Sequence, residues 1–509
     1  MQRFPGRRRS PEKRTQPTSR RPVRLLIVGA LSWNPERIRS LHERGHRLWG
    51  LWSRSMAWDQ GPYPSLDGCV TPVALADAAR TLRDEAIDAV YSLYQVYHPR
   101  LWGAPAPGVE HGVWTLLRAL VDERRRGAFD APILRHWGFD VQNLAPDVVR
   151  SIDGHLFCNR AKERYWRSPV REGGCGVDAF DDCGVVDHLD GDRPKLEFMN
   201  DDFSERLSER DGEIHTVCIG RPFGIDYLAA ARRGIHVHVY GNAHDDVTRT
   251  IARDLPLAVA GREAALLRRH IHLHPSLQAP GAAWEDVRRA KSAWVREFSR
   301  YDAGWSYVGR PLPWEALDDR AAIPSKVATC LAAGLPVIGD VRPGWHRYDE
   351  LVRLGVNVDL DGYDALRGRL DDEVRTRERS KRAVRERAGY SFDASIDALV
   401  AAIERARECY FARPHRERAR APAGSRRLVH FTTSPDPRAL ARSVARRIVH
   451  PPDGPGVAPS RFAGLAEVAR DAVRRLAGAR KATILAAGLR LAVEPAPPAA
   501  ARVPVQERA

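Results

Sequence analysis

The chain has 509 residues, 43% of them hydrophobic and 29% charged, with a formal net charge of +16. That length suits two or three ordinary domains, and the absence of any run of about 18 apolar residues argues against a membrane-spanning helix. The basic opening MQRFPGRRRSPEKR lacks an apolar core, so no secretory signal is expected. The seven scattered cysteines form no C-x-x-C pair, so neither a zinc module nor a disulfide framework is expected, and a reducing cytoplasm is the expected compartment.

The charge sits at the two ends. Residues 1–24 carry about +8 and residues 413–509 about +12, leaving the middle at about −4. Between those ends, short apolar runs alternate with amphipathic stretches. RLLIVGA, from Arg24 to Ala30, reads as a first buried strand, Pro35 to Arg44 as a helix and Arg47 to Trp52 as a second strand. The turn at Gly29 to Ser32 lies where a doubly wound sheet opens its crevice, so Gly29 and Ser32 are candidate residues of a loop at that crevice. Leu75 to Glu85 reads as a helix, Ile87 to Tyr94 as a strand and Val109 to Arg126 as a helix. Pro132 to His136, Pro146 to Ile152 and His155 to Cys158 follow as strand, helix and strand.

From Lys162 to Arg210 the rhythm breaks into Asp-, Gly- and Arg-rich segments, expected to be loops and a crossover. Alternation resumes with the strand HTVCIG from His215, a helix over Asp226 to Arg233 and the strand IHVHVYG. A helix over Asp245 to Asp254, a further helix, the strand HIHLH, a helix over Trp284 to Phe298 and a strand from Gly304 come next. Then a helix over His346 to Leu354 precedes the strand VNVDL. Phe392 to Tyr410 is a long helix with Ile396, Leu399, Val400, Ile403 and Ala406 on one face. The Arg-, Ala- and Pro-rich remainder has helical periodicity over Arg438 to Val449 and Ala463 to Leu491. It is expected to be a partly helical basic tail. The sum is an α/β chain with a parallel sheet in each half.

The stretch IPSKVATCLAAGLPVIGD, from Ile323 to Asp340, carries the sharpest chemical signal. Pro324 suits a helix start, and Ser325, Lys326 and Val327 would offer backbone N–H groups at the positive helix end, where Lys326 adds a full charge. Gly334 suits a left-handed stop. Such a helix start is an anion site, with phosphate the usual anion.

This stretch resembles the donor-site segment of GT-B glycosyltransferases of the family 4 type, which run Pro-x-Lys, a short helix, then Ala-Gly-x-Pro-Val-Ile. Gly220, Arg221 and Gly224 resemble the segment where Gly-Arg opens the donor site. Gly241 and Asn242, after Val239-Tyr240, resemble the next strand end. The chain departs from the family at Thr329 and Ala321, where an E-x7-E pair commonly stands, and at Ile225-Asp226, where a second cation is common. The stretch His136-Trp137-Gly138-Phe139-Asp140 resembles the Trp-Gly-x-Asp of related transferases, which makes Asp140 first and His136 second the candidates to take the acceptor proton or orient the acceptor.

The resemblance covers about residues 23–412. It implies two Rossmann-like domains, 23–205 for the acceptor, with Gly29 and Ser32 in its acceptor-side loop, and 206–391 for the donor nucleotide. A crossover helix at 392–412 and basic ends at 1–22 and 413–509 complete the chain. It implies a cytoplasmic glycosyltransferase that moves a sugar from a nucleoside diphosphate sugar to an unidentified acceptor. The donor would be bound by Gly220, Arg221, Gly224, Gly241, Asn242, Pro324, Ser325, Lys326 and Thr329, with no cofactor and no metal. The alternatives are a non-catalytic scaffold for nucleotide or sugar and a GT-B epimerase. His236, His238, His270, His272 and His274 alternate on strands and are expected to be polar partners beneath a helix rather than metal ligands. Asp359 and Asp361 are expected to cap. The basic tail makes an anionic membrane surface a candidate partner, and no specific nucleic-acid binding is expected.

Overall fold

The structure is a computed structural model. It describes residues 21–31, 35–53, 64–93, 113–137, 148, 151–167, 183–185, 193–220, 225–241, 262–275, 277, 282–306, 323–414, 483–486 and 489–492. Strands β1 (Arg24–Gly29), β2 (Arg47–Trp52), β3 (Thr71–Pro72), β4 (Ala89–Ser92), β5 (Ile133–Trp137), β6 (Gly154–Phe157) and β7 (Cys183–Val185) form one parallel sheet of order 3-2-1-4-5-6-7. Strands β8 (Ile214–Ile219), β9 (Ile235–Tyr240), β10 (Ile271–His274), β11 (Ala303–Trp305), β12 (Val337–Asp340) and β13 (Asn357–Leu360) form a second, of order 10-9-8-11-12-13. Both are doubly wound, and each reverses direction at its first strand, between β1 and β4 and between β8 and β11. There a crevice opens beyond the carboxyl ends of the strands. The expectation of an α/β chain with two Rossmann-like domains holds.

The helices of the first domain are α1 (Pro35–Glu43), α2 (Ala78–Asp84), α3 (Val113–Arg125) and α4 (Arg160–Arg167). Those of the second are α5 (Leu207–Asp211), α6 (Tyr227–Arg232), α7 (Arg262–His270), α8 (Trp284–Ser292), α9 (Trp294–Ser299), α10 (Ser325–Ala332), α11 (His346–Leu354), α12 (Tyr363–Thr376) and α13 (Glu378–Glu386). The crossover helix is α14 (Asp393–Ala412). The inner strands of each sheet are buried on both faces, whereas the edge strand β3 is exposed and the edge strand β10 partly so. In the first, Leu116, Leu117 and Leu120 of α3 cover one face with Val90 and Ile133. Ile38 and Leu41 of α1 cover the other with Leu25 and Ile27. The same second face takes Ile396, Leu399, Val400, Ile403 and Ala406 of α14, so the last helix returns to the first domain as the sequence implied. Ala406 seats over Gly154, where an added Cβ would stand 2.9 Å from the Ala406 Cβ.

Several expectations need correction. The stretch from Lys162 to Arg210 is not all loop: α4 spans its start, β7 is a seventh strand and α5 leads into β8. Helices α12 and α13, over a stretch for which no element was expected, bury Leu366, Leu370 and Ala383. The helix expected over Trp284 to Phe298 is broken at Ala293 into α8 and α9. Within Ala463 to Leu491, where helix was expected, Thr483–Ala486 pairs antiparallel with Leu489–Ala492. Asp361 does not cap: it takes two bonds from Arg369, at 2.6 and 2.7 Å, and Gly362 precedes α12. Asp359 instead accepts from the Asn357 side-chain amide at 2.5 Å. The helices expected over Asp245 to Asp254 and Arg438 to Val449, and most of that over Pro146 to Ile152, lie outside the described residues.

Candidate functional site

In the second domain β9, β8, β11 and β12 end side by side, and the residues expected to hold the donor, where they are among the described residues, gather at these ends. Gly220 closes β8 at φ +78°, a conformation that favours glycine, and its N–H donates to the Tyr240 carbonyl at 3.0 Å. Gly241 closes β9, with its N–H on the His274 carbonyl at 3.3 Å. Pro324 stands at the N-cap of α10 with φ −59°, one position earlier than a first-turn proline, and Gly334 ends the helix at φ +67°. One expected donor is already used: Val327 N–H bonds the Pro324 carbonyl at 2.9 Å.

Helix α10 is buried along its length because it lies directly on β11. A Cβ at Gly304 would fall 2.3 Å from the Cys330 Sγ, so glycine is what lets the helix sit so low. That seating buries Lys326 and Thr329. The ammonium of Lys326 lies close enough to act on two thiols. Burial pushes the Cys330 thiol up to about 12 and raises Cys218, and in both cases Lys326 pulls the other way. At the end of β11 the buried Ser306 hydroxyl has no hydrogen-bond partner among the described residues. No motif marks Ser306 in the sequence. Arg221, Gly224 and Asn242 lie outside the described residues.

In the first domain the crevice is cationic. Arg37, Arg135 and Lys162 are buried around His136, itself 0% exposed. Arg37 reaches from α1 to donate to His136 Nδ1 at 3.1 Å and to the Tyr91 hydroxyl at 3.4 Å. From the other sheet face Arg135 donates to Ser92 Oγ at 2.8 Å. A guanidinium can only donate, so Nδ1 of His136 is the acceptor and Nε2 carries the hydrogen. Burial, then the charges of Arg37, Arg135 and Lys162, hold its pKa well below the ordinary 6.5. His136 is thus a neutral imidazole with its lone pair engaged. This geometry suits orienting a ligand as a hydrogen-bond donor and does not suit taking a proton. Gly29, φ +136°, ends β1 with its Cα hydrogen against Leu93, where a Cβ would come within 3.1 Å. Ser32 and Asp140 lie outside the described residues. Arg37 and Lys162 had no motif to mark them, because their partners come from other elements.

The alternating histidines form a ladder on one face of β8, β9 and β10, joined by His215. His215 Nδ1 meets His238 Nε2 at 3.0 Å, His238 Nδ1 meets His274 Nε2 at 2.9 Å, and His236 Nδ1 meets His272 Nε2 at 2.9 Å. Asp211 accepts from His215 at 3.0 Å and Glu213 pairs with His236 at the lower end. At the upper end Tyr240 stacks on His274 with centroids 4.4 Å apart, and its hydroxyl meets Tyr301 and Glu297. The ring nitrogens face one another pairwise, and no group of three ligands suited to a metal exists among the described residues. Burial and neighbouring imidazoles lower His238, and they lower His272 to about 4.

No protein-family model matches this chain, and no curated protein matches its sequence. Among solved structures it is similar to a glycosyltransferase from Rickettsia africae ESF-5, at 11% identity and a TM-score of 0.48. That alignment covers 76% of this chain and 98% of that one. Anabaena Alr3699/HepE, solved with UDP and glucose, aligns at 10% identity and a TM-score of 0.43, over 77% of this chain and 100% of that one. Sucrose-phosphate synthase from Thermosynechococcus elongatus aligns at 12% and 0.44, over 77% and 100%.

Proposed function

We propose that the chain is a GT-B glycosyltransferase that binds a nucleoside diphosphate sugar at the second crevice and its acceptor at the first. The observation that supports this most is the placement of Gly220, Gly241 and the start of α10 at the ends of neighbouring parallel strands, astride the β8/β11 reversal. That is where a doubly wound sheet takes a nucleotide, and a helix start with Lys326 supplies the positive end a diphosphate needs. Transfer then separates the diphosphate from the sugar, and its growing charge is met by Lys326, by α10 and by Arg221. Thr329 stands nearby as a hydroxyl. His136 orients the acceptor through Nε2–H, and Asp140 takes its proton. The reaction uses no cofactor and no metal. The protein works in the cytoplasm, with its basic tail at an anionic membrane surface.

Calorimetry with nucleoside diphosphates tests the donor site. Lys326→Ala is expected to weaken binding about tenfold or more, the size of a lost charge-assisted hydrogen bond. Unchanged affinity would move the diphosphate elsewhere. A second reading, a non-catalytic scaffold, is favoured by Thr329 standing where the family commonly has a carboxylate. Release of nucleoside diphosphate from a panel of donor sugars, with turnover, rejects it.

A further inference from the structure

The chain crosses between domains twice, and the two crossings are tied together. Phe392 N–H donates to the Pro194 carbonyl at 3.1 Å, Leu196 N–H donates to the Asp393 carboxylate at 2.7 Å, and the Arg193 guanidinium lies 5.4 Å from the Tyr390 ring centre. That pair of crossings is where the two domains are joined through the backbone. A second connection is made by α1. The Glu36 carboxylate and the Lys291 ammonium of α8 come together with side chains only 2% and 7% exposed, and burial lowers the Lys291 pKa to about 7. One turn on, the Arg39 guanidinium lies 5.1 Å from the Trp284 ring centre, also on α8. Arg39 is itself held by the carbonyls of Ser65 and Asp67, both at 3.0 Å.

The residue next to Glu36 is Arg37. Adjacent helical side chains diverge by about 100°, so one turn of α1 points in two directions. Glu36 faces the second domain. Arg37 faces the first-domain crevice, where it fixes the tautomer of His136, and its guanidinium lies 5.1 Å from the ring centre of Phe392 at the second crossing.

We propose that the Glu36–Lys291 pair is a cross-domain tie that makes α1 a positioning element. It holds the donor domain against the acceptor domain and places Arg37, and through it the His136 N–H, only while the domains are together. Glu36 and Lys291 are positioning residues, since neither reaches a crevice. A buried pair suits this work because removing one partner strands the other charge away from water, so the contact is kept or lost as a unit. The kinetic consequence rests on the glycosyl-transfer reading; the tie itself does not.

The test measures the distance between spin labels on cysteines introduced at Asp84 and Lys381 in the full-length chain with Cys175, Cys183 and Cys409 replaced by Ser. The otherwise unaltered chain is expected to give one narrow distribution. Lys291→Met and Glu36→Gln are each expected to broaden it toward longer distances. The double variant should be no broader than the worse single one, because both remove the same interaction. In turnover, each single variant is expected to lose about tenfold in kcat while the KM for donor stays within about twofold. Distributions that match the unaltered chain in both single variants would overturn the tie, as would additive broadening in the double. Should Lys291→Met fail to fold, the near-isosteric Glu36→Gln decides by the same distance reading. Broadened distances in a protein that turns over no donor would sink the glycosyl-transfer reading and leave the tie standing.

Discussion

The two domains share one winding order but bury polar groups in opposite ways. The first gathers Arg37, Arg135 and Lys162 around a single histidine at the carboxyl ends of its strands. The second lines up five histidines, His215, His236, His238, His272 and His274, along the flank of β8, β9 and β10 and buries Lys326 in the first turn of α10. The difference is chemical. An imidazole can enter a low-dielectric interior by giving up its proton, so a ladder of neutral rings satisfies itself ring to ring. A guanidinium cannot, and must be met by acceptors such as Ser92, Tyr91 and His136. The first arrangement stores positive charge around one neutral imidazole, whereas the second spreads its sensitivity to acid over four.

The comparison breaks hardest at the glycines on which helices sit. Gly304→Val is expected to lift α10 off β11, cost about 3 kcal/mol or more in denaturant unfolding, and abolish nucleoside diphosphate binding. Gly154→Val is expected to cost about 1–3 kcal/mol by displacing α14 while leaving nucleotide affinity within about twofold. If both variants lose nucleotide binding alike, the donor crevice is not confined to the second domain.

Acid separates the domains next. His272 holds its proton less well folded than unfolded, so the unfolded chain binds more protons once the pH drops below its ordinary 6.5. The stability it contributes is complete above that value and is lost as pH falls toward about 4. His236, His238 and His274 act in the same direction. Hydrogen exchange across pH 7 to 4 is therefore expected to loosen β9 and β10 before β4 and β5. Replacing His238 and His272 with Gln should flatten that dependence. A ladder whose exchange is level across the range would show that its imidazoles stay solvated and titrate normally.

Chelation should leave turnover within about twofold, because the diphosphate charge is met by Lys326 and a helix start. Loss of activity in EDTA, regained with magnesium or manganese, would bring Asp359 and Asp361 back as ligands. The smallest effect is expected from the ends. A chain of residues 23–412 should melt within about 2 °C of the full one, since the core clusters lie inside it. Only its sedimentation with anionic liposomes should fall. Failure of that fragment to fold would place the tail on the core.

Most elements are legible in the sequence because each is set by local patterning. RLLIVG and IHTVCI are apolar runs of strand length, and α14 repeats its buried residues at helical spacing. Pro324 and Gly334 mark both ends of α10 through the backbone angles they favour. What the pattern missed was also local: at least half of α12 and of α13 is charged, so their few buried residues give a faint period. The tertiary structure alone decided which residues meet. Arg37 and His136 lie 99 positions apart, and only the β1-β4-β5 order brings α1 over β5. His215 joins the ladder because β8 pairs with β9 in a register that sets it beside His236. Glu36 finds Lys291 because both crossings fold one domain back on the other. Propensity acts over a few residues, whereas a site is a set of contacts between elements, and only the packing of the whole chain specifies those.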